Sequence, residues 1–139
     1  MRRPNVRAAG AFTIVEILVV VIIIGVLATL VVPKFIGRIW QAKQNVARQK
    51  LQEIEKAIEI FRYDYGRFPE DLEELVTRPD DIPEEKWQEP TLKPKDLVDP
   101  WDRRFVYKSP GEHGAFDLYS LGADGQEGGE SENADVVNW

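Results

Sequence analysis

The sequence predicts an α+β protein in which a long N-terminal helix, membrane-spanning in its first half, packs on a small C-terminal antiparallel β-sheet with loops. Three observations support this prediction. Residues 14–32 are almost entirely apolar, residues 51–61 carry apolar side chains at helical spacing, and two strand-like segments, 104–108 and 116–121, follow a proline-rich loop. The chain of 139 residues is long enough for one small domain beyond the apolar segment.

The apolar segment IVEILVVVIIIGVLATLVV, residues 14–32, contains a single charged residue, Glu16. A helix needs about 20 apolar residues to cross a membrane, and residues 17–24 lack the polar face of a helix buried in a soluble core. A secretory signal peptide would end in a cleavage site of small residues, and the segment ends instead at Pro33. The segment is therefore expected to stay in the mature protein as a transmembrane helix.

The charges are distributed unevenly along the chain, whose net charge is -6. Residues 1–50 contain eight Lys or Arg, and three of these, Arg2, Arg3 and Arg7, directly precede the apolar segment. Such a basic flank is typical of the cytoplasmic side, so the rest of the chain is expected outside. Residues 109–139 contain seven carboxylates and no Lys or Arg, which argues against a nucleic-acid partner.

Glu16 is the one ionisable side chain inside the apolar segment, where a charge at the membrane centre costs roughly 2.5–3.5 kcal/mol on insertion scales. Two explanations remain open from the residues alone. In the first, the carboxylate lies near the membrane edge and reaches the polar layer, or it stabilises the first helical turn through the helix dipole. In the second, it pairs with a positive charge when several copies of the chain come together.

Apolar residues recur at steps of three and four beyond the apolar segment, which predicts an amphipathic continuation of the helix over residues 34–64. These residues are Leu51, Ile54, Ile58 and Phe61. The whole helix is expected to run from Phe12 to near Tyr63, with room for an irregularity between Gly25 and Pro33. The same helix is also expected in a protein that uses it only as a membrane anchor and stalk and does not self-assemble.

The region 65–103 is predicted to be a loop with short helical turns. Gly66 and Pro69 favour an end of the long helix just before it. A short helix is expected around Glu70–Val76 and one further turn near Glu84–Trp87, and five prolines later in the region oppose longer elements.

Two strands, Arg104–Lys108 and Phe116–Leu121, are predicted to form a β-hairpin, because the turn-forming segment Ser109–Gly114 lies between them. His113, the only histidine, lies in this turn without a serine, cysteine or metal-ligand pattern nearby, and is interpreted as a polar turn residue. The chain has no cysteine, which excludes disulfides, thiolate metal sites and cysteine nucleophiles. No catalytic residue is therefore predicted.

The C-terminal segment 122–139 contains an acidic stretch from Asp124 to Asp135, with five carboxylates and Asn133 in twelve residues. Calcium suits such a loop because it accepts six to eight oxygen ligands, including backbone carbonyls, in flexible geometry. The spacing is not that of an EF-hand. From the residues alone a solvated acidic turn is the favoured interpretation, and a calcium site is the alternative.

Residues 10–33, GAFTIVEILVVVIIIGVLATLVVP, resemble the N-terminal signature of type IV pilins and type II secretion pseudopilins. The resemblance implies that residues 1–11 are a basic leader. A prepilin peptidase would cut between Ala11 and Phe12 and methylate the new terminal amine. Because the family usually has glycine directly before the cut, cleavage between Gly10 and Ala11 is the alternative.

The same resemblance implies an assembly role for residues 12–33. Glu16 of one subunit would neutralise the terminal amine at Phe12 of its neighbour when a subunit joins a filament. Pro33 lies where the family places its proline.

Four segments of the C-terminal half are similar to the major pseudopilin family of type II secretion. They are Asp99–Trp101, Ser109–Gly114, Ser120–Gly125 and Asn133–Trp139. The resemblance implies that calcium binds in the acidic loop, through the side chains of Asp124 and Asp135 and the backbone carbonyl of Leu121. Asn133 or Glu130 would complete the set, because an alanine stands at one position where family members often have an acid.

With the N-terminal signature, the resemblance covers most of the chain. It implies a pilin-like structural subunit that is not an enzyme. It would begin as a single-span protein of the bacterial inner membrane, with residues 34–139 in the periplasm, and polymerise into the pseudopilus that drives protein export. Implied partners are its own copies, minor pseudopilins, the inner-membrane assembly platform, the prepilin peptidase and, before assembly, lipid. A subunit of an adhesion or DNA-uptake pilus, many of which carry a disulfide, and a membrane-anchored calcium-dependent binding protein are the alternatives.

Overall fold

The structure is a computed structural model. It describes the backbone of residues 12–139 and the side chains of that range except at positions 30 and 32–36. The leader expected at residues 1–11 therefore lies outside the described residues.

The chain divides into two compact units between Arg38 and Ile39, and each is described by itself. One helix, α1 (Ile14–Tyr65), begins in the first unit and ends in the second. The helix assignment runs through Gly25 without a break. The irregularity expected between Gly25 and Pro33 stays a prediction, because a continuous helix can still bend.

The first unit exposes an apolar helix surface. Every side chain described from Phe12 to Val31 is exposed, and Val21 and Ile22 are 60% and 56% exposed. Because successive residues lie about 100° apart around a helix, this apolar surface faces all directions. The part of the chain that the structure describes contains no helix that qualifies, by length and apolarity, as a membrane span.

In the second unit α1 supplies one side of the hydrophobic core. Its buried face consists of Ala47, Leu51, Ile54, Ile58 and Phe61. Their steps of three and four place them on one side of the helix, which confirms the amphipathic pattern. The later elements contribute Leu72, Leu75, Leu97, Phe105, Phe116, Leu118 and Val136. Each fully buried Leu, Ile or Phe stabilises the fold by roughly 1.5–3 kcal/mol, so this core holds α1 against the sheet.

Three short 3-10 helices follow α1, over Leu72–Leu75, Glu84–Lys86 and Pro94–Leu97. The first is shorter than the helix predicted around Glu70–Val76. Asp71 is the N-cap residue, so the helix begins at Leu72 and not at Glu70. The Asp71 side chain accepts hydrogen bonds from two backbone amides of this turn. The second lies where one turn was predicted.

The third of these helices, Pro94–Leu97, was not predicted from the sequence. Lys50 of α1 donates from Nζ to the carbonyl oxygens of Lys95 and Val98, at 3.2 and 2.7 Å. Leu97 is fully buried in the core. The turn thus depends on contacts with a helix more than forty residues away, which local sequence patterns do not reveal.

The sheet has three antiparallel strands in the order β1 (Val106–Lys108), β2 (Asp117–Ser120) and β3 (Val136–Val137). β1 and β2 form the predicted hairpin, although both are shorter than predicted. β3 was not predicted, since two residues are too few to show an alternating pattern. It pairs with β2, with Ser120 opposite Val136, and so closes the acidic segment into a loop. The predicted α+β fold class is confirmed.

Candidate functional site

The N-terminus of α1 carries a reciprocal cap formed by Thr13 and Glu16. The backbone N–H and the hydroxyl of Thr13 donate to Oε2 of Glu16, at 2.9 and 3.0 Å, and the amide of Glu16 donates to Oγ1 of Thr13 at 3.2 Å. This is a capping box, which satisfies amides that the first helical turn leaves unpaired. The Thr-x-x-Glu spacing is the sequence signature of this cap, which the predictions from the sequence did not include.

Glu16 can therefore serve its own helix without a second subunit. Both hydrogen bonds from Thr13 end on the same oxygen, and the residue is exposed, so the carboxylate remains accessible to a cation. Phe12, the predicted new terminus, is 80% exposed. The alternative cleavage residues Gly10 and Ala11 lie outside the described residues, and the assembly role of Glu16 stays a prediction.

The acidic loop, residues 121–135, connects β2 to β3, so the pairing of these strands anchors both of its ends. Within the loop the amide of Ala123 donates to the carbonyl of Glu132 at 3.2 Å. A short 3-10 helix begins at Ser131, and Gln44 of α1 donates from Nε2 to the Ser131 carbonyl at 2.6 Å. No sequence pattern indicated Gln44, whose partner lies 87 residues away.

The first half of the acidic loop contains two of the predicted calcium ligands. The carbonyl of Leu121 accepts a hydrogen bond from the amide of Gly125 at 3.1 Å. Oδ1 of Asp124 accepts one from the amide of Gln126, also at 3.1 Å. Gly125 has a φ of 72°, a left-handed conformation that glycine adopts at little cost. One tight turn therefore carries a carbonyl and a carboxylate of the predicted set.

The second half of the loop contains Asp135, which uses only one of its oxygens. Oδ2 accepts a hydrogen bond from the amide of Gly128 at 2.8 Å, while Oδ1 is buried and has no hydrogen-bond partner among the described residues. A buried unpaired acceptor costs about 1–3 kcal/mol, and more when it is charged. Asn133 and Glu130 lie in the same half, where the Asn133 amide donates to the Glu130 carbonyl at 3.1 Å. A cation beside Oδ1 of Asp135 would remove this cost.

Backbone carbonyls of the loop lie close to its glycines. A Cβ added at Gly122 would lie 2.7 Å from the carbonyl oxygen of Ala134, and one at Gly129 would lie 2.5 Å from that of Asn133. Residues 12–139, as described, form no group of three or more Asp, Glu, His or Cys side chains able to hold a metal. Calcium does not require such a group, because it combines a few carboxylates with carbonyl oxygens. The oxygen-only donor set suits calcium better than zinc.

Asp117, at the start of β2, holds the turn of the hairpin. Its buried carboxylate accepts hydrogen bonds from the amides of Glu112 and His113, at 2.9 and 3.1 Å, and lies 3.1 Å from Nδ1 of His113. The imidazole stacks on the ring of the C-terminal Trp139, with ring centroids 4.0 Å apart. His113 thus belongs to a structural turn and ties the end of the chain to it.

Acid is expected to loosen this turn. Burial alone would raise the pKa of Asp117, but hydrogen bonds from Glu112 and His113 outweigh burial and hold the pKa below its ordinary value of 3.8. Because the folded pKa is lowered, Asp117 stabilises the fold above the unfolded pKa and loses this contribution as pH falls through the folded pKa. We expect Asp117→Asn to lower the free energy of unfolding at neutral pH and to flatten its fall in acid, as measured by urea unfolding.

The matched control for this measurement is Asp64→Asn, which changes an exposed aspartate of α1. It should reproduce the acid dependence of the unchanged protein. If Asp117→Asn does the same, the turn does not depend on this carboxylate.

A family model and several known proteins are similar to this chain. The family model described as Type II secretion system (T2SS), protein G matches residues 34–139. The Type II secretion system core protein G of Pseudomonas aeruginosa is 44% identical over 137 residues, which cover 96% of this chain and 96% of the relative. The protein of that description from Vibrio cholerae is 38% identical over 138 residues, covering 97% of this chain and 94% of the relative.

A solved structure resembles the fold as well. It is the crystal structure of the major pseudopilin from the type 2 secretion system of enterohaemorrhagic Escherichia coli. The TM-score is 0.60 at 26% identity, and the match covers 74% of this chain and 87% of that one.

Proposed function

This chain belongs to the type II secretion system protein G family, and from that membership we propose how it reaches and builds its filament. The chain is a structural subunit of the periplasmic pseudopilus of type II secretion, where it assembles with other secretion components. Its proposed partners are its own copies, minor pseudopilins, the inner-membrane assembly platform and the prepilin peptidase. We propose no catalytic activity for it.

Before assembly the proposed location is the inner membrane, with a single span. The observation that carries this proposal is the apolar surface that the first unit exposes in all directions, from Phe12 to Val31. Exposing apolar surface to water costs about 25 cal/mol per Å², so lipid would cover this helix before assembly and neighbouring subunits would cover it afterwards. Arg2, Arg3 and Arg7 favour a cytoplasmic N-terminus, which leaves the second unit in the periplasm.

Processing would create the charge that Glu16 needs. A cut between Ala11 and Phe12 frees an amine, which the peptidase methylates and which remains a cation. A carboxylate and a cation 4 Å apart attract by ~4 kcal/mol at an effective dielectric constant of about 20. Glu16 of one subunit would pair with the amine of the next, and the cap from Thr13 keeps this carboxylate at the start of its helix.

The acidic loop is the proposed calcium site. The side chains of Asp124 and Asp135 and the carbonyl of Leu121 would bind the ion, with Asn133 or Glu130 completing the set. The unpaired Oδ1 of Asp135 supports this proposal, as does the close approach of backbone carbonyls to the glycines. Bound calcium would offset the mutual repulsion of the loop's carboxylates and close the loop in a chain without disulfides.

Mass spectrometry of the protein extracted from the membranes of a secreting host is expected to show a chain that begins at Phe12 and carries one added methyl group. A chain that begins at Ala11 would move the cut to the alternative position. In a host without the prepilin peptidase, residues 1–11 should remain attached. If Met1 is retained in the secreting host as well, the proposed processing and the amine partner of Glu16 are both wrong.

A further inference from the structure

Arg103 lies beneath the first half of the acidic loop. Its Nη2 donates hydrogen bonds to the carbonyl oxygens of Gly122 and Ala123, the latter at 2.9 Å. The guanidinium also packs against Gly125, where an added Cβ would lie 2.5 Å from Nη1 and 3.0 Å from Cζ. A planar cation thus fills the space under this turn, and a side chain at Gly125 would displace it.

The backbone of Arg103 is itself held in place by Asp99. The amide of Arg103 donates to Oδ1 of Asp99 at 2.9 Å, and its carbonyl accepts from the amide of Asp99 at 2.7 Å. Asp99 is 3% exposed, and its Oδ2 accepts a hydrogen bond of 2.6 Å from Oγ of Ser120, the last residue of β2. Because Asp99 fixes both Arg103 and the residue just before the loop, the guanidinium has a defined position relative to the first loop carbonyls.

We propose that Arg103 is a positioning residue that holds the backbone of the first half of the acidic loop in its binding conformation before a cation binds. The two carbonyls that it holds lie inside the turn closed by the hydrogen bond from Gly125 to Leu121. That turn carries the Leu121 carbonyl and the Asp124 carboxylate, two of the proposed ligands. The inference therefore rests on the proposed calcium loop for its function, whereas the positioning itself concerns the metal-free chain.

Charge and geometry predict opposite effects of removing Arg103, which makes the proposal testable. If only charge mattered, removing a positive group beside a calcium site would strengthen calcium binding by reducing repulsion. If Arg103 holds the ligands in place, its removal would weaken binding, because the ion must then order a loop that was ordered beforehand. A guanidinium holds its donors in one rigid plane and here also fills the space against Gly125, whereas lysine places a compact ammonium on a flexible chain.

Isothermal titration of calcium into the full-length chain in detergent is expected to show about tenfold weaker binding for Arg103→Gln, as two charge-assisted hydrogen bonds are lost. Arg103→Lys, which keeps the charge, should recover only part of the affinity. The matched control is Arg104→Gln, which removes an exposed neighbouring arginine that pairs with Glu73 at 2.8 Å. Binding by Arg103→Gln that equals or exceeds that of the unchanged protein would overturn the proposal.

Hydrogen exchange in chelator separates this proposal from the calcium site. In Arg103→Gln and not in Arg104→Gln, the amide of Gly125 should exchange faster, since its bond to Leu121 is no longer supported. If the unchanged protein binds no calcium, the calcium site is wrong, and exchange still decides the role of Arg103. Unchanged exchange at Gly125 would refute that role even if calcium binds.

Discussion

Replacing Glu16 with glutamine is expected to stop pseudopilus assembly while leaving the protein in the membrane. The side-chain oxygen of glutamine can accept the same two hydrogen bonds from Thr13, so the helix start should survive, but glutamine has no charge for a neighbouring amine. Removing one partner of a buried ion pair costs about 3–5 kcal/mol, because the other charge stays buried and unpaired. Since 1.4 kcal/mol is a factor of ten, subunit addition should weaken by about a hundredfold or more.

Filament yield after overexpression, measured by shearing and immunoblotting, tests this result, and membrane fractionation checks insertion. Glu16→Leu removes the charge and the hydrogen bonds that the Glu16 side chain accepts from Thr13, and should assemble no better than the glutamine variant. Glu53→Gln changes an exposed carboxylate elsewhere on α1 and serves as the matched control. Normal filaments from Glu16→Gln would show that the capping box alone explains this residue.

Removing calcium is expected to lower the melting temperature of the full-length chain by on the order of 10 °C. A ligand present at about a hundred times its Kd stabilises a fold by about 2.7 kcal/mol, and 1 kcal/mol shifts the Tm of a domain of about 100 residues by roughly 4–8 °C. The structural reason is the buried Oδ1 of Asp135, which has no hydrogen-bond partner among the described residues. Thermal unfolding in detergent, with calcium and with chelator, measures the difference.

Asp135→Asn is expected to abolish the difference between calcium and chelator, because an amide oxygen is a weaker ligand than a carboxylate. Glu132→Gln removes the same charge from an exposed position of the same loop that is not a predicted ligand, and should keep most of the difference. A melting curve of the unchanged protein that ignores calcium would leave the acidic stretch as a solvated turn, the interpretation favoured by its residues alone.

The elements that depend on a local pattern of residues were predictable from the sequence. The buried face of α1, including Ile54 and Ile58, follows from steps of three and four residues. Gly66 was expected at the helix end and has the left-handed φ of 74° that such a cap requires. The hairpin of β1 and β2 follows from two short apolar runs around a turn segment.

The arrangement around the acidic loop was less predictable. Its acids were visible in the sequence, but β3, which anchors the end of the loop, consists of two residues and becomes a strand only by pairing with β2. Gln44, Asp99 and Arg103 contact the loop or its anchor from distant positions in the chain. The sequence around each of these residues does not indicate which distant group it contacts.

The sequence by itself determined the helix, its apolar first half, the hairpin and the family, because each depends on neighbouring residues or on a contiguous motif. Only the tertiary structure decided which oxygen of Asp135 lacks a hydrogen-bond partner among the described residues. It also decided that Arg103 is the side chain that donates to the carbonyls of Gly122 and Ala123. The physical reason is the distance along the sequence between the residues that interact. Periodicity acts over a few residues, whereas hydrogen bonds to a loop join groups that become neighbours only when the core has formed.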